Sequence, residues 1–244
     1  MKRWQKVLAG AGLIFLGLLA AGGLALAGLR SWLYPLAPPM PAVVSEPMPA
    51  ILARLEGLLK TNAPHVAALL QPGLSAGDIE RLQAQYHVQL PEDLRLIYQW
   101  HNGSRFTTNF VSKDFLPGER FLPLEEALAD RAAIASAKTT WLQGMAWWAL
   151  AQHSDTWLCL FSDEGGDGYW YDPARTPAQG SVFYHDNEEG AYVFFPSPKN
   201  LMAGVVRGYE QGAFHLKTGA TPPELEEDYG QSEKIWGEFG AVRE

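Results

Sequence analysis

A long charge-free run near the N-terminus limits how this chain can fold more than any other feature. The run extends from Val7 to Leu29, a length about sufficient to cross the hydrocarbon core of a membrane as a helix. Lys2, Arg3 and Lys6 precede it and only Arg30 follows it closely, a bias that retains the N-terminus in the cytoplasm. The sequence therefore predicts a single-pass inner (plasma) membrane protein whose larger part lies on the periplasmic or extracellular side.

The same run also fits a secretory signal peptide. Ala25-Leu26-Ala27 has the small-x-small form that signal peptidases accept, so cleavage after Ala27 is the alternative. The apolar run is long for the central part of a signal peptide, and we therefore favour an uncleaved anchor within residues 1–34.

Composition divides the rest of the chain into three parts. Residues 35–49 contain six prolines, which predict an extended, semi-rigid spacer. Residues 50–217 carry the apolar patterns of one globular domain, and residues 218–244 predict an acidic C-terminal tail. Ile235, Trp236 and Phe239 within this tail have the spacing of a short helix that docks.

Secondary-structure signals change along the globular part. The first half has helical periodicity, and Ser75 and Asp78 have the spacing of a helix cap. The second half contains short aromatic and β-branched runs bounded by Gly, Pro, Asn or Asp, which predict strands joined by turns. Ser197-Pro198 then predicts the start of a final helix. Helices followed by strands indicate an α+β fold, and strands joined by turns favour an antiparallel sheet.

Leu90 to Gly103 is the best-marked helical stretch. Pro91 suits a first helical turn, and Asn102-Gly103 offers the left-handed residue that commonly ends a helix. One helical face contains Leu94, Ile97, Tyr98 and His101. We therefore predict that the helix continues through His101, with the imidazole ring on its buried face.

The charge of the chain favours a basic partner over nucleic acid. The net charge is −8, and four of the 19 basic residues (Lys2, Arg3, Lys6 and Arg30) precede the first acidic one, so 15 basic and 27 acidic residues leave the remainder at −12. We expect no nucleic-acid partner, because such binding depends on Lys and Arg at the phosphates. The acidic excess also fits a simple role in solubility.

Residues suited to catalysis or metal binding are few. Cys159 is the only cysteine, which excludes an internal disulfide and a multi-thiolate metal site within the chain. Its position in a strand-like run favours a buried structural thiol over a nucleophile. His153, His185 and Asp186 lack the spacing of a metal site. We expect no catalytic residue, no metal and no cofactor.

Short motifs occur in a recognisable order along the globular part. They begin at Ile79-Glu80, continue through the Leu-Pro and His-Asn-Gly motifs, and later include a glycine-acid turn and a strand that ends in His-Asp. In this order the motifs resemble the SUKH superfamily, which contains fungal cell-wall assembly regulators and many bacterial immunity proteins. The signature positions are Leu90, Pro91, Tyr98, His101, Asn102, Gly103, Gly165, Gly166, Asp167, His185 and Asp186.

This resemblance implies an α+β fold, with helices packed on one mixed or mainly antiparallel sheet, that binds another protein without catalysis. The partner is then a toxin domain or a component of envelope assembly, and the choice between these stays open. The acidic turn offers Asp163, Glu164 and Asp167 to a basic partner, although a solvated connection between two strands explains the same residues.

A second hypothesis is an envelope enzyme that acts on glycans. The nine tryptophans of the chain support it, because exposed rings stack on sugars. Such an enzyme would need two carboxylates about 5 to 10 Å apart in one cleft.

Overall fold

The computed structural model describes residues 40–105, 114–141, 156–163, 165–174, 180–186, 190–217, 219–220 and 224–242. The predicted anchor at residues 7–29 lies outside these ranges. Within them, no helix is both long enough and apolar enough to span a membrane. The range Ala37–Glu244 forms one compact unit.

The described residues contain seven helices and ten strands. The helices are α1 (Met48–Asn62), α2 (Pro64–Ala67), α3 (Ala76–Tyr86), α4 (Glu92–Trp100), α5 (Leu124–Trp141), α6 (Pro198–Gln211) and α7 (Tyr229–Phe239). The strands are β1 (Leu70–Pro72), β2 (His101–Ser104), β3 (Arg120–Phe121), β4 (Leu158–Ser162), β5 (Gly168–Asp172), β6 (Ser181–Asp186), β7 (Gly190–Phe195), β8 (Phe214–Leu216), β9 (Leu225–Glu227) and β10 (Ala241–Val242). This composition confirms the α+β prediction.

The aromatic runs of the second half build one antiparallel sheet of six strands. Its strand order is β10-β7-β6-β5-β4-β3, and two further antiparallel pairs are β1-β2 and β8-β9. In the sheet, Phe183 lies opposite Trp170 on one side and Phe194 on the other. Every residue of β5 is buried, so both faces of the central sheet are covered.

Helix α6 is central to the described fold and contacts α1, α7 and the sheet. Ser197 caps it by accepting a hydrogen bond from the Asn200 amide at 3.2 Å, as the Ser-Pro pair predicts. Most of its residues are buried. A Cβ added at Gly204 would lie 2.8 Å from the Trp236 ring, so this glycine allows α7 to approach α6 closely.

Asn200 joins the proline-rich segment and the C-terminal helix to α6. Its buried side chain accepts a hydrogen bond from the Val44 amide at 3.2 Å. It also donates to the carbonyl oxygens of Ala42 at 3.2 Å and Phe239 at 2.9 Å. The described part of residues 35–49 is therefore bound to the domain by specific contacts.

The prediction that the helix continues through His101 was wrong. Helix α4 ends at Trp100, and His101 has an extended backbone with φ −146°. Strand β2 begins there, with His101 opposite Pro72 and Ser104 opposite Leu70 in β1. Pairing with β1 provides hydrogen-bond partners for backbone N–H and C=O groups that a longer helix would otherwise bond internally. Periodicity within the segment does not reveal that pairing.

The C-terminal segment contributes three elements to the fold. Strand β9 pairs with β8, and β10 pairs with β7 at the edge of the main sheet. Ile235 and Trp236 of α7 are buried. The Asp228 side chain caps α7 by accepting a hydrogen bond from the Gln231 amide at 3.1 Å. Residues 225–242 are thus integral to the domain.

Candidate functional site

A hydrogen-bonded cluster surrounds the signature position His101. Its Nδ1 lies 2.7 Å from the Gln71 carbonyl oxygen, and its Nε2 lies 3.0 Å from Glu56 Oε2. The same Glu56 oxygen accepts a hydrogen bond from Trp100 Nε1 at 3.0 Å, and Lys60 Nζ lies 2.9 Å from Glu56 Oε1. The cluster therefore joins α1 to the junction of α4 and β2.

Both nitrogens of the His101 ring face an oxygen acceptor. Partial burial acts to raise the pKa of Glu56, but hydrogen bonds from Lys60 and His101 outweigh it and lower that pKa. Glu56, Trp100 and His101 also line a groove of 480 Å³ between α1 and α4. Because these polar groups bond one another, they form a structural clamp.

Asn102 and Gly103 hold β2 against the start of α5. Asn102 Oδ1 accepts a hydrogen bond from the Leu124 amide at 2.9 Å. Gly103 is buried with φ +72°, and a Cβ in its place would lie 2.3 Å from the Pro123 nitrogen. Close packing of β2 against the backbone before α5 therefore explains why a glycine follows Asn102.

The other early signature positions also have structural roles. The ring of Tyr98 is fully buried and stacks on Phe121, with ring centroids 5.4 Å apart. Leu90 is buried, and its amide donates a hydrogen bond to Gln83 Oε1 at 2.7 Å. Pro91 directly precedes α4. These positions stabilise the junction of helices and sheet and expose no reactive group.

Asp114 is a buried carboxylate that holds β2 and β3 together. It accepts hydrogen bonds from the Ser104 hydroxyl, from the Phe115 amide at 2.8 Å and from the Phe121 amide at 2.7 Å. Burial raises its pKa to about 6, although these hydrogen bonds act in the opposite direction. With all three donors supplied by the protein, Asp114 is a structural group.

The acidic turn between β4 and β5 is ordered by one of its own carboxylates. Asp163 Oδ1 accepts hydrogen bonds from the amides of Gly165, Gly166 and Asp167 at 2.6, 3.0 and 3.0 Å. A Cβ at Gly168 would lie 2.1 Å from the Phe161 carbonyl oxygen. Turn geometry therefore explains the glycines. Glu164, predicted as a binding residue, lies outside the described residues.

His185 and Asp186 lie beside the same turn, at the end of β6. His185 is opposite Gly168 in the antiparallel register, and its side chain is buried. Burial lowers the pKa of His185, while the nearby Asp167 and Asp186 act to raise it. The fold thus brings the glycine-acid turn next to the His-Asp strand end.

The lone thiol of the chain belongs to the core. Cys159 Sγ is buried and lies 3.3 Å from the Phe161 carbonyl oxygen. Burial raises the pKa of this thiol well above its ordinary value, which disfavours the reactive thiolate. Among the described residues, no group of three or more His, Cys, Asp or Glu side chains is placed to hold a metal ion.

A cleft of 560 Å³ lies between the main sheet and the C-terminal elements. Four carboxylates line it, those of Glu119, Asp163, Glu227 and Glu233. Four aromatic rings line it as well, those of Tyr169, Tyr184, Tyr229 and Trp236. We call it the acidic-aromatic cleft. Its described lining contains no lysine and no arginine, so it favours positively charged groups.

Two residues at the C-terminal side of this cleft have distinctive surroundings. Burial raises the pKa of Glu227, and hydrogen bonds from Ser232 and Trp236 act to lower it. These bonds orient its carboxylate. Tyr229, the first residue of α7, is 77% exposed. In the part of the chain that the structure describes, it and Val43 are the exposed large hydrophobic side chains.

Comparison with protein-family models identifies the domain. Residues 73–203, more than half of the chain, match the SMI1/KNR4 family, also termed SUKH-1. The chain belongs to this family. The match confirms the resemblance seen in the sequence, and it extends from the residues before α3 into the first turns of α6. A search of curated proteins found no match to the chain.

Of the binding residues predicted from the sequence, one lines the acidic-aromatic cleft. Asp163 lies there, whereas Asp167 belongs to the adjacent turn and is not part of the lining. Of the lining residues in the C-terminal elements, the sequence singled out Trp236, as part of a docking helix, but not Tyr229 or Glu233. The helical spacing of Ile235 and Trp236 was the available signal for them.

Proposed function

We propose that this SUKH-1 protein is a membrane-tethered, non-catalytic module that binds another protein with a basic surface. In this proposal, residues 7–29 anchor it in the inner membrane, and the domain faces the periplasm or the cell exterior. Two roles suit such a module: neutralising a toxin domain and supporting assembly of the cell envelope.

The acidic-aromatic cleft is the observation that carries this proposal. Its volume of 560 Å³ is sufficient for a few side chains of a partner, since small-ligand pockets span about 300 to 1,000 Å³. Tyrosine and tryptophan are enriched in protein interfaces. Carboxylates around the opening would attract a positively charged partner during encounter.

The same carboxylates favour one alternative, an enzyme that cleaves glycans. That chemistry uses two carboxylates whose interaction separates their pKa values. In the described structure, burial and hydrogen bonds from Ser232 and Trp236 account for the pKa shift of Glu227, with no contribution from a second carboxylate. Asp163 Oδ1 is likewise engaged by turn amides. Glu227 and Asp163 thus each have structural partners of their own, which supports binding over catalysis.

A hydrolysis assay separates these two candidates. The purified full chain and its Glu227→Gln variant are incubated with peptidoglycan, and released fragments are measured. We expect no hydrolysis by either protein. Hydrolysis by the unmodified chain that is lost in Glu227→Gln would replace the binding proposal with the enzyme.

Capture from native membranes tests the binding role directly. The full chain with a C-terminal tag is cross-linked in intact cells, recovered, and its partners are identified by mass spectrometry at low and high salt. We expect a basic protein whose recovery falls as salt rises, because salt screens exposed charges. Recovery of chaperones alone at low salt would contradict the proposal.

The proposed orientation has its own test. A reporter that is active only in the periplasm is fused after Glu244. We expect activity, because the positive charges precede the apolar run. A silent reporter on a stably expressed fusion would overturn the orientation.

A further inference from the structure

The acidic-aromatic cleft has two walls that come from different parts of the chain. The sheet wall contains Glu119, Asp163, Tyr169 and Tyr184, all within the residues that the family model matches. The C-terminal wall contains Glu227, Tyr229, Ser232, Glu233 and Trp236, all beyond that match. The family match therefore covers the sheet wall of the cleft and ends before the C-terminal wall.

The geometry points to the C-terminal wall as the specificity-determining half of the cleft, with an arginine side chain of the partner as its occupant. This inference rests on the proposed function and names the partner chemistry of the same site. It assigns Glu233 as the charged contact and Tyr229 as the aromatic contact.

Charge complementarity selects a cationic side chain. Four carboxylates and no lysine or arginine are found in the described lining. The part of the chain after Arg30 is strongly acidic, with 27 acidic residues against 15 basic ones. A positively charged side chain therefore gains attraction both at long range and inside the cleft.

The aromatic rings select arginine over lysine. A guanidinium group is planar, stacks on aromatic faces and pairs with carboxylates through two parallel hydrogen bonds. The cleft places Tyr229 and Trp236 on the same helix as Glu233, so stacking and ion pairing are available from one wall. A lysine ammonium has no flat face and a stronger hydration shell.

The C-terminal wall is held in place before any partner binds. Trp236 packs edge-on against Phe195, with ring centroids 5.4 Å apart, and the close approach at Gly204 sets α7 against α6. The Asp228 cap orders the first turn of α7, next to Tyr229. A rigid wall loses little entropy on binding, which raises affinity.

Peptide titration tests this assignment. The purified full chain in non-ionic detergent is titrated into fluorescein-labelled (Arg-Gly)₄, with the matching lysine and citrulline peptides as probes of charge and shape. We expect the arginine peptide to bind more tightly than both others. Glu233→Gln should weaken its binding about fivefold, and Tyr229→Ala by a similar factor, as expected for a partly exposed ion pair and a cation–π contact.

Matched variants separate the cleft from general surface charge. Glu238→Gln changes the same charge on the same helix at an exposed position outside the cleft lining, and we expect less than a twofold effect. Tyr229→Phe keeps the ring and should retain binding. Circular dichroism confirms that each variant is folded. Equal effects of Glu233→Gln and Glu238→Gln, or equal binding of the arginine and citrulline peptides, would overturn the assignment.

The outcomes distinguish this inference from the proposed function. If membrane capture recovers a basic partner and its binding is unchanged by Glu233→Gln and Tyr229→Ala, the binding role stands and the C-terminal wall is refuted. The opposite result is that the variants weaken binding of the arginine peptide but membrane capture yields chaperones alone. In that case the C-terminal wall stands as an arginine site and the proposed function is refuted.

Discussion

Gly103→Ala should strongly destabilise the SUKH-1 domain, because two separate costs act at this position. Gly103 has φ +72°, a conformation that costs a residue with a Cβ about 1–2 kcal/mol. The added Cβ would also lie 2.3 Å from the Pro123 nitrogen and 2.7 Å from both the Leu122 carbonyl carbon and Pro123 Cδ. These are backbone and ring atoms, so no side-chain rotation relieves the clash.

Relief of that clash requires β2 to move away from the start of α5. Such a movement would strain the hydrogen bond from the Leu124 amide to Asn102 Oδ1, now 2.9 Å long. Overpacking of a buried site costs roughly 1–3 kcal/mol. Together with the conformational cost, the expected loss in unfolding free energy is about 2–5 kcal/mol.

Gly212→Ala is the matched control. Gly212 has φ +76° at the end of α6, and an added Cβ would meet no atom within 4 Å. Only the conformational cost of about 1–2 kcal/mol applies there. Thermal unfolding of the full chain is followed by tryptophan fluorescence. At about 2–4 °C per kcal/mol for a domain of this size, Gly103→Ala should unfold about 10 °C lower than the unmodified chain, and Gly212→Ala only a few degrees lower. Equal losses in both variants would refute the role assigned to close packing at Gly103.

Two further predictions concern buried polar groups. Because the pKa of Asp114 is about 6 in the folded state and near 3.9 in an unfolded chain, the folded state holds its proton more tightly. Asp114 should therefore lower the unfolding free energy as pH rises from about 4 to about 6, by about 3 kcal/mol in total. Urea unfolding at several pH values should show this fall in unfolding free energy in the unmodified chain and not in Asp114→Asn. If the unfolding free energies of the two proteins changed in parallel with pH, the role assigned to Asp114 would be contradicted. Among the described residues, the buried Tyr98 hydroxyl has no hydrogen-bond partner, whereas the Tyr209 hydroxyl donates to the Phe115 carbonyl oxygen at 2.9 Å. Tyr98→Phe should leave stability unchanged or raise it by up to about 1 kcal/mol, and Tyr209→Phe should lower it by about 1 kcal/mol; the reverse order in urea unfolding would refute this account.

Local sequence signals predicted several elements correctly because their physics is local. The caps at Ser75 and Ser197 each accept a hydrogen bond from an amide three residues later. Short aromatic runs bounded by turn residues predicted β4 to β7, since side-chain alternation and turn chemistry involve only a few neighbouring residues. The order of short motifs was also sufficient to identify the family that the later match confirms.

Position His101 shows where such signals fail. Its spacing placed it on a helix, yet pairing with Pro72 in β1 makes it the first residue of β2. Its ring contacts Glu56, which lies 45 residues earlier in the chain. A pattern within ten residues contains no information about either partner.

By itself, the sequence determined the elements of the second half, the lone thiol, the acidic balance and the family, because each depends on composition or on residues close together in the chain. The tertiary structure alone decided which carboxylates share a cleft. Glu119, Asp163 and Glu233 are far apart in sequence. Pairing of β3 with β4 brings Glu119 and Asp163 to one side of the cleft, and the packing of α7 on α6 through Gly204 adds Glu233. That contact depends on the shapes of two distant helices, which no local pattern records.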